Sequence, residues 1–296
     1  MSCISPVQIK SPLNNGKFLY VACGRCAWCR KAKQNEWCLR FEVEQRDNLY
    51  TDFVTLTYDD NNVPFYIDED DGVFEMRARQ EDVQKFVKRL RKSGYKFKYF
   101  IVSELGPKNQ RPHYHGLFFS NEKIPPDVIQ KKWSKGFTSS YPASPGALRY
   151  CTKYILKGNK RDGNFMLCSK RPAIGSSYVK YQTAHDTYRL TDDGVYQFSM
   201  PLVGGKLAPM PRYYKKKFAQ FFDELEYEMN KVKVINLMEE RPKQYYLEQR
   251  YKKKGGLKDE SDLKDVQDFN RTIETNYLRD YKKQNLINSK DNIKDY

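Results

Sequence analysis

YFIVSELGPKNQRPHYHGLFFS, residues 99–120, reads as two strands around a turn. Tyr99 to Glu104 is rich in β-branched and aromatic residues, Leu105 to Pro112 contains Gly106-Pro107, and His113 to Ser120 turns apolar again. The pattern predicts an antiparallel hairpin. Residues two apart on a strand share a face, so His113 and His115, two of the chain's three histidines, point to one spot. Tyr114, Leu117 and Phe119 are assigned to other surroundings. Glu104 ends the first strand, where the hairpin brings its carboxylate beside the imidazoles. Two His and one Glu with open positions suit Mg2+ or Mn2+ in a phosphoryl-transfer site. The alternatives are a structural histidine pair and a surface acid at a strand end.

Outward from the hairpin, Asp52 to Asp59 (DFVTLTYD) reads as another strand, closed by Asn61-Asn62. Val83, Phe86, Val87 and Leu90 recur at helical spacing over residues 80–93, with Gly94 as the stop. The outer face of that helix and the segment after it carry Lys85, Lys88, Arg89, Arg91, Lys92, Lys96 and Lys98, the densest basic patch and a candidate DNA-binding surface. Pro125 to Lys135 reads as a short helix, followed by a short strand at Gly136 to Thr138.

Ser144-Pro145-Gly146 opens a further helix, a cap residue followed by proline in the first turn, running to Lys157-Gly158. At 100° per residue Tyr150, Lys153, Tyr154 and Lys157 share one face, while Leu148, Cys151 and Ile155 share the opposite, buried one. Two phenols interleaved with two ammonium groups fit either cation–π packing at an interface or a nucleophile pair. A phenol with a pKa near 10 is a poor nucleophile at neutral pH. Lys153 and Lys157 would favour the phenolate, and a divalent ion would offset charge on a scissile phosphate.

Composition points the same way. With 53 Lys and Arg against 37 Asp and Glu, the net charge is +16, which implies a polyanionic partner, nucleic acid before an acidic membrane. The 39% hydrophobic and 15% aromatic content can bury a core, and no apolar run is long enough for a membrane span. The N-terminal residues carry no apolar segment followed by a cleavage site, so a cytoplasmic protein is expected. No Gly-x-x-x-x-Gly-Lys-Ser/Thr loop is present, so no motor of its own is expected. Seven cysteines fit thiols or metal ligands better than disulfides. Cys23, Cys26 and Cys29, with Cys38 beyond, are candidates for a structural Zn2+, the alternative being packed or surface thiols. After residue 158, turns and short runs suggest hairpins to about residue 210 and helices beyond. Residues 252–296 are polar enough to suggest partial disorder or a partner-dependent helix.

These observations predict an α+β fold, an antiparallel sheet with flanking helices over residues 1–158, followed by a mainly helical, partly polar extension over residues 159–296. Three motifs in order, the strand Phe53 to Tyr58, His113-Tyr114-His115, and Tyr150-Cys151-Thr152-Lys153-Tyr154, resemble the HUH endonucleases that start rolling-circle replication. Within them, the chain is similar to the two-tyrosine initiators of gokushovirus-type microviruses, and the run Cys23-Gly24-Arg25-Cys26-Ala27-Trp28-Cys29 fits that phage group too.

The resemblance implies helices packed on one face of the sheet, with His113, His115 and Glu104 as metal ligands and Tyr150 and Tyr154 as nucleophiles. It further implies nicking of single-stranded origin DNA through a 5′-phosphotyrosine, with host helicase and polymerase as partners in the infected bacterium. Two other readings compete: a non-catalytic protein that coats or packages single-stranded DNA, and a mobilisation or transposition nickase.

Overall fold

The structure, a computed structural model, describes residues 3, 5–67, 74–106, 110–154, 164–181, 188–192, 194–201, 207–221 and 224–241. In chain order the elements are β1 (Val7–Lys10), β2 (Phe18–Val21), α1 (Ala27–Arg46), β3 (Tyr50–Tyr58), β4 (Phe65–Ile67), β5 (Phe74–Met76) and α2 (Gln80–Lys92). There follow β6 (Phe97–Leu105), β7 (Pro112–Ser120), α3 (Pro126–Trp133), β8 (Gly136–Pro142), α4 (Pro145–Tyr154), β9 (Met166–Cys168) and α5 (Tyr178–Tyr181). The last are β10 (Tyr188–Leu190), β11 (Tyr196–Pro201), β12 (Leu207–Pro209), α6 (Arg212–Phe218) and α7 (Glu224–Glu239).

Two compact units share the chain: Met1–Glu36 with Tyr181–Ser289, and Trp37–Lys180 with Lys290–Tyr296. The division after residue 158 expected from sequence is therefore corrected. β9 pairs with β6, Phe100 opposite Cys168 and Val102 opposite Met166, so the sheet unit extends past residue 158. The polar stretch 252–296 lies outside the described residues.

The second unit is built on a five-stranded sheet in the order β8-β3-β7-β6-β9, antiparallel throughout. The expected hairpin of residues 99–120 is its centre. Alternation along the strands sends Val54, Leu56, Tyr58, Tyr114 and Phe118 to one face, where they pack with Val83, Phe86, Val87 and Leu90 of α2 and with Ile129 and Trp133 of α3. Truncating a fully buried ring such as Phe86 to Ala costs about 3–5 kcal/mol. Phe100, Val102, Leu117 and Phe119 face the other way and pack with Phe41 of α1 and with Leu148 and Cys151 of α4. Helices thus cover both faces, not the one face the resemblance implied.

The edge strand β8 depends on Gly136, whose φ is +146° and where a Cβ would fall 2.3 Å from the carbonyl oxygen of Thr57. β8 continues to Pro142, four residues beyond the short strand the sequence suggested. In the first unit, β1 pairs with β2, and β10, β11 and β12 form a three-stranded antiparallel sheet. Asn15 donates to Glu239 at 3.0 Å and Ser11 also hydrogen-bonds to that carboxylate, tying the turn after β1 to the end of α7. No helix among the described residues is long and apolar enough to cross a membrane.

Candidate active site

One row across the sheet organises the site. Phe137 of β8 stands opposite Thr57 of β3, Thr57 opposite His113 of β7, and His113 opposite Glu104 of β6. The next row on the same face is Ser139, Thr55, His115 and Val102. Directly opposed residues of an antiparallel pair point the same way, so Glu104 and both imidazoles meet on the α1/α4 face. Glu104 Oε2 lies 3.5 Å from His113 Nε2 and 3.3 Å from His115 Nε2.

Each ring is oriented by its other nitrogen. His113 Nδ1 sits 3.2 Å from the Arg111 carbonyl, which can only accept, so Nδ1 carries the proton and a neutral ring keeps its lone pair on Nε2. His115 Nδ1 is 3.2 Å from Thr55 Oγ1, and Phe53 stacks on that ring at 5.5 Å and 10°. Burial alone would depress the pKa of His113. Its hydrogen bonds to Glu104 and the Arg111 carbonyl, with the Glu104 charge, outweigh this and raise it above the usual imidazole value.

These residues fit a hard divalent ion. Ligands about 2.1 Å from one octahedral ion stand about 3.0 Å apart at right angles, a few tenths of an ångström closer than the separations here. The three donor atoms all lie within 4.8 Å of one another.

The helix α4 delivers the phenol. Ser144 Oγ accepts from the Ala147 amide at 3.2 Å, the N-cap expected from Ser144-Pro145. Leu148 and Cys151 are buried under the helix, as the periodicity required. Tyr150, 37% exposed, lies on the outer side, and its hydroxyl donates to Glu104 Oε2 at 3.1 Å. Its ring meets His115 edge-on at 5.1 Å and Phe53 at 6.0 Å. Tyr154 follows one turn later, about 6 Å along the helix. The side chains of Lys153 and Tyr154, and the whole of Ile155 and Lys157, lie outside the described residues.

Tyr114, between the two histidines in sequence, is excluded from the chemistry. It points to the α2 face, where its hydroxyl meets that of Tyr58 at 2.8 Å and the Arg79 amide at 2.9 Å, and burial pushes its pKa up. Leu117 and Phe119 do share the histidines' face, but farther along β7 in the core.

The basic patch does not join the site. α2 lies on the opposite face of the sheet, so Lys85, Lys88 and Lys92 project on the far side from His113 and His115. Lys96 is exposed in the segment between α2 and β6. Three of the seven have structural partners. Arg89 donates to the carbonyls of Lys132 and Trp133, Arg91 lies over Phe97 and Tyr99, and Lys98 pairs with buried Glu44 at 2.7 Å. The sequence could not tell which face the helix would cover.

It also missed Thr55 and Phe53, whose roles depend on strand register, and two exposed rings of β8. Phe137 and Tyr141, 69% and 64% exposed, share the histidines' face, with Tyr141 opposite Phe53. Cys38, expected with the other thiols, lies 3.9 Å from Thr152. It is nine residues beyond Cys29 on α1, about 13.5 Å of helical rise, which removes it from that group.

Residues 51–159 match the family model of the replication-associated protein ORF2. Among curated relatives, the chain is 30% identical to replication-associated protein ORF2 of Spiroplasma virus 4, over 46% of this chain and 48% of the relative. It is 26% identical to replication-associated protein VP4 of Bdellovibrio phage phiMH2K, over 65% of each chain. With replication-associated protein ORF4 of Chlamydia phage 1 it shares 24% identity, over 46% of this chain and 37% of the relative. The chain thus spans less than two thirds of the length of each of these relatives. The resemblance to microvirus replication proteins expected from the three motifs is found. No solved structure matches the chain.

Proposed function

We propose that this chain acts in phage DNA replication as a nickase that cuts and rejoins single-stranded DNA through Tyr150. The observation that carries the reading is the shared oxygen of Glu104: it accepts from the Tyr150 hydroxyl at 3.1 Å and lies within 3.5 Å of both imidazoles. A phenol beside a hard-ion ligand set is an arrangement suited to attack on a phosphodiester.

His113, His115 and Glu104 would hold Mg2+ or Mn2+, which when bound draws charge from a non-bridging phosphate oxygen. The phenol oxygen of Tyr150 attacks phosphorus in line and the bond from phosphorus to the 3′ oxygen breaks. The phenol proton leaves toward the released 3′ oxygen, so a 3′ hydroxyl and a 5′-phosphotyrosine result. One phosphate ester replaces another, and reversal by a second 3′ hydroxyl rejoins the strand without ATP. Tyr154, one turn along α4, is the second nucleophile of this scheme, and Lys153 and Lys157 favour the phenolate. Phe53, Tyr141 and Phe137 offer π-faces on which unpaired bases can stack on the way to the site.

The test uses single-stranded oligonucleotides tiled over the genome that carries this reading frame, incubated with the full chain and Mn2+. The expected product is a covalent adduct that survives denaturation, and Tyr150→Phe with Tyr154→Phe should bind DNA but form none. An adduct from the double variant overturns the assignment to α4. DNA binding with no adduct from the unaltered chain favours the non-catalytic coating reading.

A further inference from the structure

The unit that contains the N-terminal residues holds a different ligand set. The Sγ atoms of Cys3, Cys23, Cys26 and Cys29 all lie within 4.8 Å of one another. Cys3 and Cys23 are 3.5 Å apart, Cys26 and Cys29 3.4 Å, Cys3 and Cys26 3.8 Å, and Cys23 and Cys29 3.9 Å. None is a disulfide: all seven cysteines of the chain are free, and a bonded pair would close to about 2.05 Å. Four thiolates about 2.3 Å from a single zinc ion, at the corners of a tetrahedron, stand about 3.8 Å from each other. The sulfurs are already close to that spacing.

The backbone explains how residues twenty apart come together. β1 and β2 pair with Val7 opposite Val21, so Cys3 and Cys23 leave the same end of the hairpin. Gly24, at φ +74°, turns the chain there, Cys26 precedes α1, and Cys29 follows three residues later on the same side of its first turn. The Cys23 amide donates to Cys3 Sγ and the Cys26 amide to Cys23 Sγ, both at 3.3 Å, contacts that favour charged sulfur. Cys3 and Cys26 are 2% and 8% exposed, so the group is shielded.

We propose that Cys3, Cys23, Cys26 and Cys29 bind one Zn2+ as a closed, purely structural site. Four protein ligands leave no position for water or substrate, so the ion has no catalytic part. Thiolates select a soft ion, unlike the oxygen and imidazole set of Glu104, His113 and His115, so the chain would carry two chemically different metals. The benefit is local. A two-stranded ribbon such as β1–β2 is marginal by itself, and one ion clamps its open end to the start of α1.

The proposal is tested on the full chain, produced with zinc in the medium and freed of loosely held metal on a chelating resin. Elemental analysis should find one zinc per chain, and replacement by Co2+ should give thiolate charge-transfer bands with the intense visible bands of a tetrahedral ion. Cys3→Ser should lose the ion or shift those bands, whereas Cys38→Ser should keep one zinc and an unchanged spectrum. Should Cys3→Ser fail to fold, the Co2+ spectrum of the unaltered chain still decides. No zinc, iron in its place, a Co2+ form without thiolate bands, or zinc lost on Cys38→Ser and retained on Cys3→Ser each overturns it.

Discussion

Thr55 has no acid–base chemistry of its own, yet its hydroxyl lies 3.2 Å from His115 Nδ1 and sets how that ring presents Nε2. Partners of this kind are worth about 10- to 100-fold in metal affinity. Thr55→Val should weaken Mn2+ binding by that order while the fold persists, and Thr55→Ser should restore it; equal affinities by calorimetry in all three proteins would remove Thr55 from the site. His113 gives a pH dependence whose sign follows from its raised pKa. Without metal, the protonated ring paired with Glu104 stabilises the fold fully below the unfolded value of about 6.5, and this contribution is lost as pH rises through the folded value. An ion needs the neutral ring, so its binding runs the opposite way. Mn2+ affinity should fall as pH drops below the raised value, approaching about tenfold per unit for one competing proton, and a flat titration between pH 8 and 6 would contradict this. At this scale the sequence disclosed the groups with distinctive chemistry, His113, His115, Glu104 and Tyr150. Thr55 and Phe53 were hidden because nothing local reveals which residues of a neighbouring strand stand beside a histidine.

Elements were legible where periodicity was long. The strands of residues 99–120, the amphipathic α2 and the capped α4 all stand where their patterns put them. What an amphipathic stripe does not encode is which side of a sheet it will cover, and that choice sent the basic face of α2 away from the histidines. Two edits separate the competing surfaces. Phe137→Ala with Tyr141→Ala on β8 should lower the yield of DNA adduct at limiting DNA by roughly 5- to 50-fold, from loss of base stacking worth about 1–3 kcal/mol per ring. Lys88→Glu with Lys92→Glu on α2 should change it by less than about threefold. A reversed order, measured on the same oligonucleotide, would put the DNA on the other face.

For the whole molecule, the surplus of 53 basic over 37 acidic residues was plain from the first reading, whereas the division into units was not, since it depends on β9 pairing with β6 across a long stretch of chain. The charge predicts how binding responds to salt. The logarithm of affinity for single-stranded DNA should fall linearly with that of salt, by about 0.7 per phosphate contacted, so four contacts imply roughly 50-fold between 50 and 200 mM NaCl. Phe137→Ala should lower the line without changing its slope, and a slope near zero in the unaltered protein would deny the charge any part in binding. One feature of the sheet bears on how such a gene can change. His113 and His115 alternate along β7 with Tyr114, which belongs to the opposite layer. Deleting a single codon within that strand would turn the imidazoles into the apolar interior and the tyrosine out of it, so catalyst and scaffold would be ruined by one event. The strand can drift by replacement, residue for residue, but its reading cannot change in length.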